Sequence, residues 1–152
     1  MHLLLWRHAD AEDATGTMPD HDRALTEKGR QQAKHMAAWL NARLPAGTRI
    51  LVSPAVRAQQ TATALKREFA TSAALDTSTD YARVLQALGP WPRAGATLLV
   101  GHQPTLGRVA SYWLTGTEGD LSVKKAAVWW LTLDDAPKPH ALLRAVMTPG
   151  ML

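Results

Sequence analysis

The stretch Leu3-Leu4-Leu5-Trp6-Arg7-His8 begins with four apolar residues and ends with a cationic and a titratable residue. A short unbroken apolar run is typical of a strand buried on both faces of a sheet. Sheets with two buried faces are mostly parallel and are covered by helices on both sides. The run therefore favours an α/β fold, and it places Arg7 and His8 where the first strand leaves the sheet.

Further along the chain, apolar strands alternate with helical patterns. Strands are predicted over 49–52 and 97–100, with a short strand near Ala74. Helices are predicted over 26–44, 80–88 and 105–114. A further helix is predicted after the second strand, with Ser53 as its N-cap, Pro54 as its first residue and a buried stripe as far as Phe69. Two strands over 126–133 and 140–147, joined by a loop with two prolines, are predicted to form an antiparallel hairpin. We therefore predict a three-layer α/β sandwich, with a mostly parallel sheet and an antiparallel C-terminal edge hairpin.

Composition narrows the possible functions. The 152 residues are 46% hydrophobic and 20% charged, which is typical of one folded domain, predicted to span 1–152, and excludes a disordered chain. There is no cysteine, so disulfides, thiolate metal sites and thiol nucleophiles are excluded. The net charge of +4 has no Lys/Arg block, so neither nucleic acid nor a membrane is a predicted partner. The amino end has no basic leader, which predicts a cytoplasmic protein of unknown oligomeric state.

The polar residues that follow three predicted strands share one kind of chemistry. Arg7 and His8 follow the first strand, Arg57 lies in the first turn of the helix after the second, and His102 follows the strand that ends at residue 101. In open α/β sheets, ligands bind at the carboxyl ends of the strands, so these side chains are predicted to meet in one crevice. Arginines bind phosphate oxygens in a bidentate manner, and histidine can attack phosphorus. The pattern indicates a phosphoryl site.

The same residues carry a family resemblance. Arg7-His8-Ala9 resembles the Arg-His-Gly signature of the histidine phosphatase (phosphoglycerate mutase-like) superfamily, and 23–29 resembles its Leu-Thr-x-x-Gly segment. Residues 53–61, Ser-Pro-x-x-Arg-Ala-x-x-Thr, are similar to its second block, and Gly101-His102 to its third. The blocks occur in the family's order. The short length without an inserted lid is most similar to the SixA-type phosphohistidine phosphatases of bacteria.

The resemblance implies a role for each matched residue. His8 would be the nucleophile that is transiently phosphorylated, and Arg7, Arg57 and His102 would hold the phosphoryl oxygens. A metal or cofactor would not be required, because the arginines and the histidine supply the positive charge. Additional substrate-binding residues are predicted to be Arg23, Ser53 and Asp10.

Two departures from the family pattern bear on the substrate. Ala9 stands where the family has Gly, so the turn after the nucleophile must accept a Cβ atom. Many relatives have a Glu as general acid between the second and third blocks, but 70–101 contains only Asp76 and Asp80 as acids. The alkoxide that leaves from a phosphate monoester needs such an acid more than the imidazole that leaves from a phosphohistidine. Imidazole has a reference pKa of about 6.5 and therefore departs with less help. The missing Glu therefore favours a phosphohistidine in a protein as substrate.

Several alternatives remain open. The first is a small-molecule phosphomonoesterase that uses Asp10 or Asp80 as the acid; the second is a phosphate-binding or phosphoprotein-binding module without turnover. The spacing His8-x-Asp10 with His102 is compatible with metal ligands, but two flanking arginines oppose a cation. A purely structural interpretation of Arg23 is an ion pair with Asp20 or Asp22. For His21 and its acidic neighbours, the corresponding interpretation is a solvated loop. Three tryptophans are candidates for a docking surface, although core packing is favoured for each: Trp91, Trp129 and Trp130.

Overall fold

A computed structural model describes residues 1–89, 95–134 and 140–152. Within these residues the strands form one sheet in the order β3-β2-β4-β1-β5-β6. The strands are β1 (His2–Arg7), β2 (Arg49–Val52), β3 (Ala70–Thr71), β4 (Ala96–Gly101), β5 (Val128–Leu133) and β6 (Ala141–Met147). The first four are parallel, whereas β5 is antiparallel to β1 and to β6. The prediction of a mostly parallel sheet with an antiparallel hairpin at one edge is confirmed.

Helices cover both faces of this sheet. They are α1 (Glu27–Asn41), α2 (Val56–Thr63), α3 (Tyr81–Leu88) and α4 (Thr105–Thr115), and short 3-10 helices occupy Asp20–Asp22, Ala73–Leu75 and Pro149–Met151. Because successive side chains of a strand point to opposite faces, β1 contributes to two separate cores. Leu4 and Trp6 pack with α1 and α2, while Leu3 and Leu5 pack with α3 and α4. The three-layer sandwich is thereby confirmed.

Full burial explains why the opening stretch has such a strong influence on the fold. Each of the four apolar residues 3–6 has 0% exposure. Burying one side chain of this size stabilises the folded state by about 1.5–3 kcal/mol before entropy is deducted. β1 therefore stands at the centre of the sheet, between β4 and β5, and its end becomes the centre of the sheet's carboxyl edge.

Two helices, α1 and α2, have boundaries that differ from the prediction. α1 ends at Asn41 rather than Leu44, because Pro45 disfavours helical geometry at the residue before it, and the chain tightens there with Leu44 N donating to Leu40 O. The prediction that Ser53 caps α2 with Pro54 as its first residue is also wrong. The helix begins at Val56 with Ala55 as N-cap, and it stops at Thr63, so it does not extend to Phe69.

The segment between α2 and α3 also differs in detail. The strand predicted near Ala74 lies earlier, at Ala70–Thr71, and residues 73–75 form a 3-10 helix instead. Trp91 and the two prolines of the hairpin loop lie outside the described residues. Trp129 and Trp130 do point to opposite faces: Trp130 is buried on the α1–α2 side, and Trp129 packs half-buried on the other.

In the part of the chain that the structure describes, we find no helix that is long and apolar enough to span a membrane.

Candidate active site

The sheet register brings three distant segments together at its carboxyl edge. Arg7 at the end of β1 is the register partner of Gly101 at the end of β4, and the next residue along each strand is a histidine. His8 N donates to Gly101 O at 3.0 Å, and Ser53 N, after β2, donates to Val100 O at 3.0 Å. Backbone pairing therefore fixes the spacing of the residues that follow β1, β2 and β4.

His8 has one ring nitrogen held and the other directed at a cation. Its Nδ1 lies 2.8 Å from the carbonyl oxygen of Ala9, and since a carbonyl only accepts, Nδ1 carries the hydrogen. The lone pair then resides on Nε2, to which Arg57 Nε donates at 3.4 Å. Burial, aided by the charges of His102, Arg57 and Arg7, lowers the pKa of His8 to about 3. The ring is therefore neutral at physiological pH, with the lone pair of Nε2 directed at Arg57.

Ala9 fits this turn without strain. Its backbone is outside the left-handed region, its side chain is fully buried in the core, and its N–H donates to Thr61 Oγ1 at 3.0 Å. Thr61 in turn donates to the carbonyl of Arg57 in α2 at 2.7 Å. The segment that follows His8 and the helix that carries Arg57 are thus held together by one buried hydroxyl.

The second histidine stands beside the first. The ring centroids of His8 and His102 are 5.2 Å apart. His102 Nε2 lies 2.7 Å from Ser53 Oγ, and its buried Nδ1 has no hydrogen-bond partner among the described residues. Burial, followed by the charge of Arg57, lowers the pKa of His102 to about 4. Ser53 does not cap α2; its hydroxyl orients this ring and accepts from Ala55 N at 3.2 Å. Its predicted role in substrate binding stays a prediction.

Arg57 is buried and is clamped by an aspartate that sequence reasoning did not single out. Its NH1 donates to the carbonyl of Asp20 at 2.8 Å and its NH2 to the Asp20 carboxylate at 3.0 Å. Partial burial acts to raise the pKa of Asp20, but hydrogen bonds and charges from Arg57 and Arg23 outweigh it and lower the pKa. The ionised carboxylate leaves the Nε edge of Arg57 directed at His8.

Arg7 is positioned from the opposite side of the site. Its NH1 donates to Val123 O at 3.0 Å, and its buried Nε has no partner among the described residues. The segment with Val123 approaches α4 closely at Gly107, where a Cβ atom would lie 1.9 Å from Leu121 O. Two unpartnered buried nitrogens, on Arg7 and His102, therefore border the same site, and the oxygens of a phosphoryl group are suitable partners for both.

The Leu-Thr-x-x-Gly segment supports the chain just after His8 and Ala9. Thr26 caps α1 by accepting from Gly29 N at 2.9 Å, and its own N–H donates to Asp10 O at 3.0 Å. A Cβ atom on Gly29 would lie 1.9 Å from Asp10 O, so glycine is required for this approach. The Asp10 carboxylate is bound by Thr26 Oγ1 at 2.8 Å and by Lys125 at 2.9 Å. The structure thus gives Asp10 a supporting place and no contact with His8, Arg57 or His102.

Arg23 is linked to the site through Asp20, and its predicted substrate contact stays a prediction. Its Nε donates to the Asp20 carboxylate at 2.9 Å and its NH1 to Glu12 O at 3.1 Å. One carboxylate therefore bridges Arg23 and Arg57. The predicted ion pair of Arg23 with a nearby aspartate is therefore present. Through Asp20 it links Arg23 to Arg57, which donates to His8.

The interpretation of His21 and its acidic neighbours as a solvated loop is wrong. Beside Asp20, His21 Nε2 lies 2.8 Å from Asp76 Oδ1, which joins this loop to the segment after the 3-10 helix 73–75. Asp80, considered as an acid, accepts from Arg83 N at 2.9 Å and caps α3. No local sequence signal separates Asp20 from the other acids of the loop, because its partner lies 37 residues away.

Among the described residues, no group of three or more His, Asp or Glu side chains is arranged to hold a metal ion. The site's charged groups suit an anion instead, since Arg7 and Arg57 flank two neutral histidines.

Comparisons with known proteins agree with this geometry. A family model, Histidine phosphatase superfamily (branch 1), matches residues 3–80, half of the chain. An uncharacterized protein of Picosynechococcus sp. is 35% identical over 144 residues, covering 84% of this chain and 82% of the relative. The solved structure of the protein histidine phosphatase SixA complexed with tungstate is 26% identical, with a TM-score of 0.79 and 99% of each chain covered.

A second solved structure, a putative phosphohistidine phosphatase SixA from Nakamurella multipartitia, is 27% identical with a TM-score of 0.75, covering 97% of this chain and 95% of that one. The fold is therefore the phosphoglycerate mutase-like sandwich implied by the sequence blocks. The chain belongs to branch 1 of the histidine phosphatase superfamily and is of the SixA type.

Proposed function

We propose that this protein is a metal-independent phosphatase that dephosphorylates phosphohistidine in a protein by way of a phosphorylated His8. One observation carries the proposal: the unprotonated Nε2 of His8 faces the guanidinium of Arg57 at 3.4 Å, while Nδ1 is held by Ala9 O. A lone pair and an oxyanion-binding cation thus meet at one point. A phosphoryl group held there has its phosphorus within reach of the nucleophile.

In the first step, His8 Nε2 attacks phosphorus as the bond to the leaving group breaks. Negative charge on the three phosphoryl oxygens is stabilised by Arg7, Arg57 and His102, which are fixed before the substrate arrives. The Nδ1 hydrogen bond to Ala9 O stabilises the positive charge that develops on the phosphorylated ring. The expected product is a phosphohistidine with phosphorus on Nε2.

In the second step, water attacks the phosphorus of phospho-His8 and the neutral ring leaves. Arginine and histidine donors on the oxygens serve both steps, because the same charge distribution recurs in the second transition state. Their fixed positions on β1, α2 and β4 make the site preorganised.

The preference for a phosphohistidine rests on chemistry and on likeness. The segment 70–101 offers no Glu as acid, and imidazole departs with less help than an alkoxide. Similarity over nearly the whole chain to a protein histidine phosphatase supports the same substrate class. We expect a phosphorylated protein as the partner and the cytoplasm as the location.

A second candidate function is hydrolysis of small phosphate monoesters. It is favoured by the His21–Asp76 pair beside the site, since a monoester needs a proton donor for its leaving group.

Rapid mixing with phosphohistidine, or with an aryl phosphate, tests the proposal. Wild-type protein should accumulate acid-labile phosphate, and His8→Ala should lose both the trapped phosphate and turnover by at least about 10³-fold. His35→Ala is the matched control, because His35 lies exposed on α1. Turnover without a trapped intermediate would contradict nucleophilic attack by His8. Binding of phosphohistidine without turnover would instead identify a binding module.

A further inference from the structure

A histidine–aspartate pair borders the site and takes no part in the two steps above. His21 Nε2 and Asp76 Oδ1 are 2.8 Å apart, and the pair joins the 3-10 helix Asp20–Asp22 to the segment after Leu75. The charges of both residues act on His102, so the pair lies near the phosphoryl site. The residue next to His21 is Asp20, which holds Arg57. His21 is therefore adjacent in the chain to the residue that holds Arg57, and it is more exposed than the buried His8 and His102.

The proton of this pair belongs to the histidine. Partial burial acts to raise the pKa of Asp76, but hydrogen bonds from Thr77 N and His21 lower it overall, so the carboxyl is ionised. An ionised carboxylate only accepts, hence His21 Nε2 donates to it. The other ring nitrogen, Nδ1, makes no hydrogen bond within the described residues, and the side chain is 39% exposed. Nδ1 is therefore accessible to a substrate, in an imidazole oriented by Asp76.

Three acids considered for the site have other partners. Asp10 is bound by Lys125 and Thr26, Asp20 by Arg57 and Arg23, and Asp80 caps α3. Among the described histidines at the site, His21 differs from the buried His8 and His102 in being partly exposed, with a ring nitrogen that no described residue occupies.

We propose that His21 is the general acid–base of the reaction and that Asp76 is its positioning residue. This inference rests on the proposed function and adds to it a proton donor, which extends the substrate range to monoesters with poor leaving groups. The acid form of His21 is the imidazolium, which carries a hydrogen on each ring nitrogen. In the first step the bond between His8 Nε2 and phosphorus forms, the P–O or P–N electron pair moves to the leaving atom, and that atom takes the proton from His21 Nδ1. His21 is then neutral, with its remaining hydrogen on Nε2 toward Asp76. In the second step neutral His21 takes a proton from the attacking water, and the enzyme returns to its starting state.

Leaving-group dependence tests the inference. Wild type and His21→Ala are compared on aryl and alkyl phosphates of increasing leaving-group pKa. With an alkyl phosphate, His21→Ala should lose roughly 10²- to 10⁴-fold in kcat, since a proton is required there. With 2,4-dinitrophenyl phosphate the loss should stay within roughly threefold, because that leaving group departs without a proton. Added imidazole should restore part of the alkyl phosphatase activity of the variant.

Control variants separate a chemical from a structural role. Asp76→Asn should show the same leaving-group dependence with a smaller loss, whereas Asp80→Asn should behave as wild type because asparagine also caps helices. An equal loss on all substrates without rescue by imidazole would overturn the inference, as would no loss at all. Leaving-group dependence in Asp76→Asn but not in His21→Ala would assign the proton to Asp76 instead. Wild-type trapping of phospho-His8 reports on the proposed function separately from these outcomes.

Discussion

Arg57 presents its Nε to His8 Nε2 at 3.4 Å while Asp20 binds both of its terminal nitrogens. The guanidinium is almost completely buried, so its orientation is determined by this one partner. A carboxylate on a phosphate-binding arginine has two possible effects: it can fix the arginine in place, or it can compete with the substrate. The additional contact of Arg57 with the backbone carbonyl of Asp20 favours a role in fixing the arginine. A carboxylate that only competed with the substrate would not need this second contact.

Replacing Asp20 by Asn should therefore reduce activity. Loss of the charged hydrogen bonds frees Arg57 from its clamp, which should lower kcat/KM by roughly tenfold or more and destabilise the fold by about 1–2 kcal/mol. Steady-state kinetics and urea unfolding measure the two effects. The loss should be equal for all leaving groups, unlike that of His21→Ala. Asp22→Asn is the control, since Asp22 is exposed on the same turn. An increase in kcat/KM would show that the carboxylate competes with substrate.

The buried histidines make stability depend on pH with a definite sign. The pKa of His8 is about 3 and that of His102 about 4 in the folded state, below the ordinary value of about 6.5. As pH falls below 6.5, the unfolded chain takes up protons that the folded chain does not. The stabilisation from two neutral rings is fully present above pH 6.5 and is lost progressively down to the folded pKa values.

The free energy of unfolding should therefore fall between pH 6.5 and 5, by about 1 kcal/mol per pH unit for each ring. His8→Asn and His102→Asn should each reduce this slope by that amount in urea titrations, and His35→Asn should leave it unchanged. The interval lies above the range in which carboxylates titrate, so Asp10, Asp20 and Asp76 contribute little to it. An unaltered slope in both site variants would contradict the burial of neutral rings.

Features of the fold and the site that depend on local sequence patterns could be predicted, whereas contacts between residues distant in the chain could not. β1, β4 and the histidines that follow them were predictable, because apolar runs and strand ends are local signals. The Asp20–Arg57 and His21–Asp76 contacts were not, since they join residues 37 and 55 positions apart in the chain. Ser53 shows the same limit. Its Ser-Pro pattern predicts a helix cap, yet its hydroxyl forms a tertiary hydrogen bond with His102. The roles of the site residues remain predictions until the variants are measured.

The glycine of the Leu-Thr-x-x-Gly segment offers a test of backbone packing. In Gly29→Ala the new Cβ would lie 1.9 Å from Asp10 O, a backbone atom that cannot rotate away. The variant should lose about 1–3 kcal/mol of stability, and activity should fall because the displaced segment follows His8 and Ala9 directly. Gly47→Ala is the control, as its Cβ would meet nothing within 4 Å. Equal stability of the two variants in thermal unfolding would contradict the close approach.

Oxyanion binding should draw protons into the site. Burial and the charge of Arg57 lower the pKa of His102 to about 4, but a bound tungstate or phosphate dianion acts in the opposite direction, since a nearby negative charge favours an imidazolium. The unpartnered Nδ1 nitrogen of His102 can then donate to an oxyanion oxygen. Near pH 6, binding should be accompanied by net proton uptake, measured by calorimetry in buffers of different ionisation enthalpy. His102→Asn should bind more weakly and lose most of this uptake, whereas His35→Asn should retain it. Proton release on binding, or equal uptake in His102→Asn, would show that His102 does not face the phosphoryl oxygens.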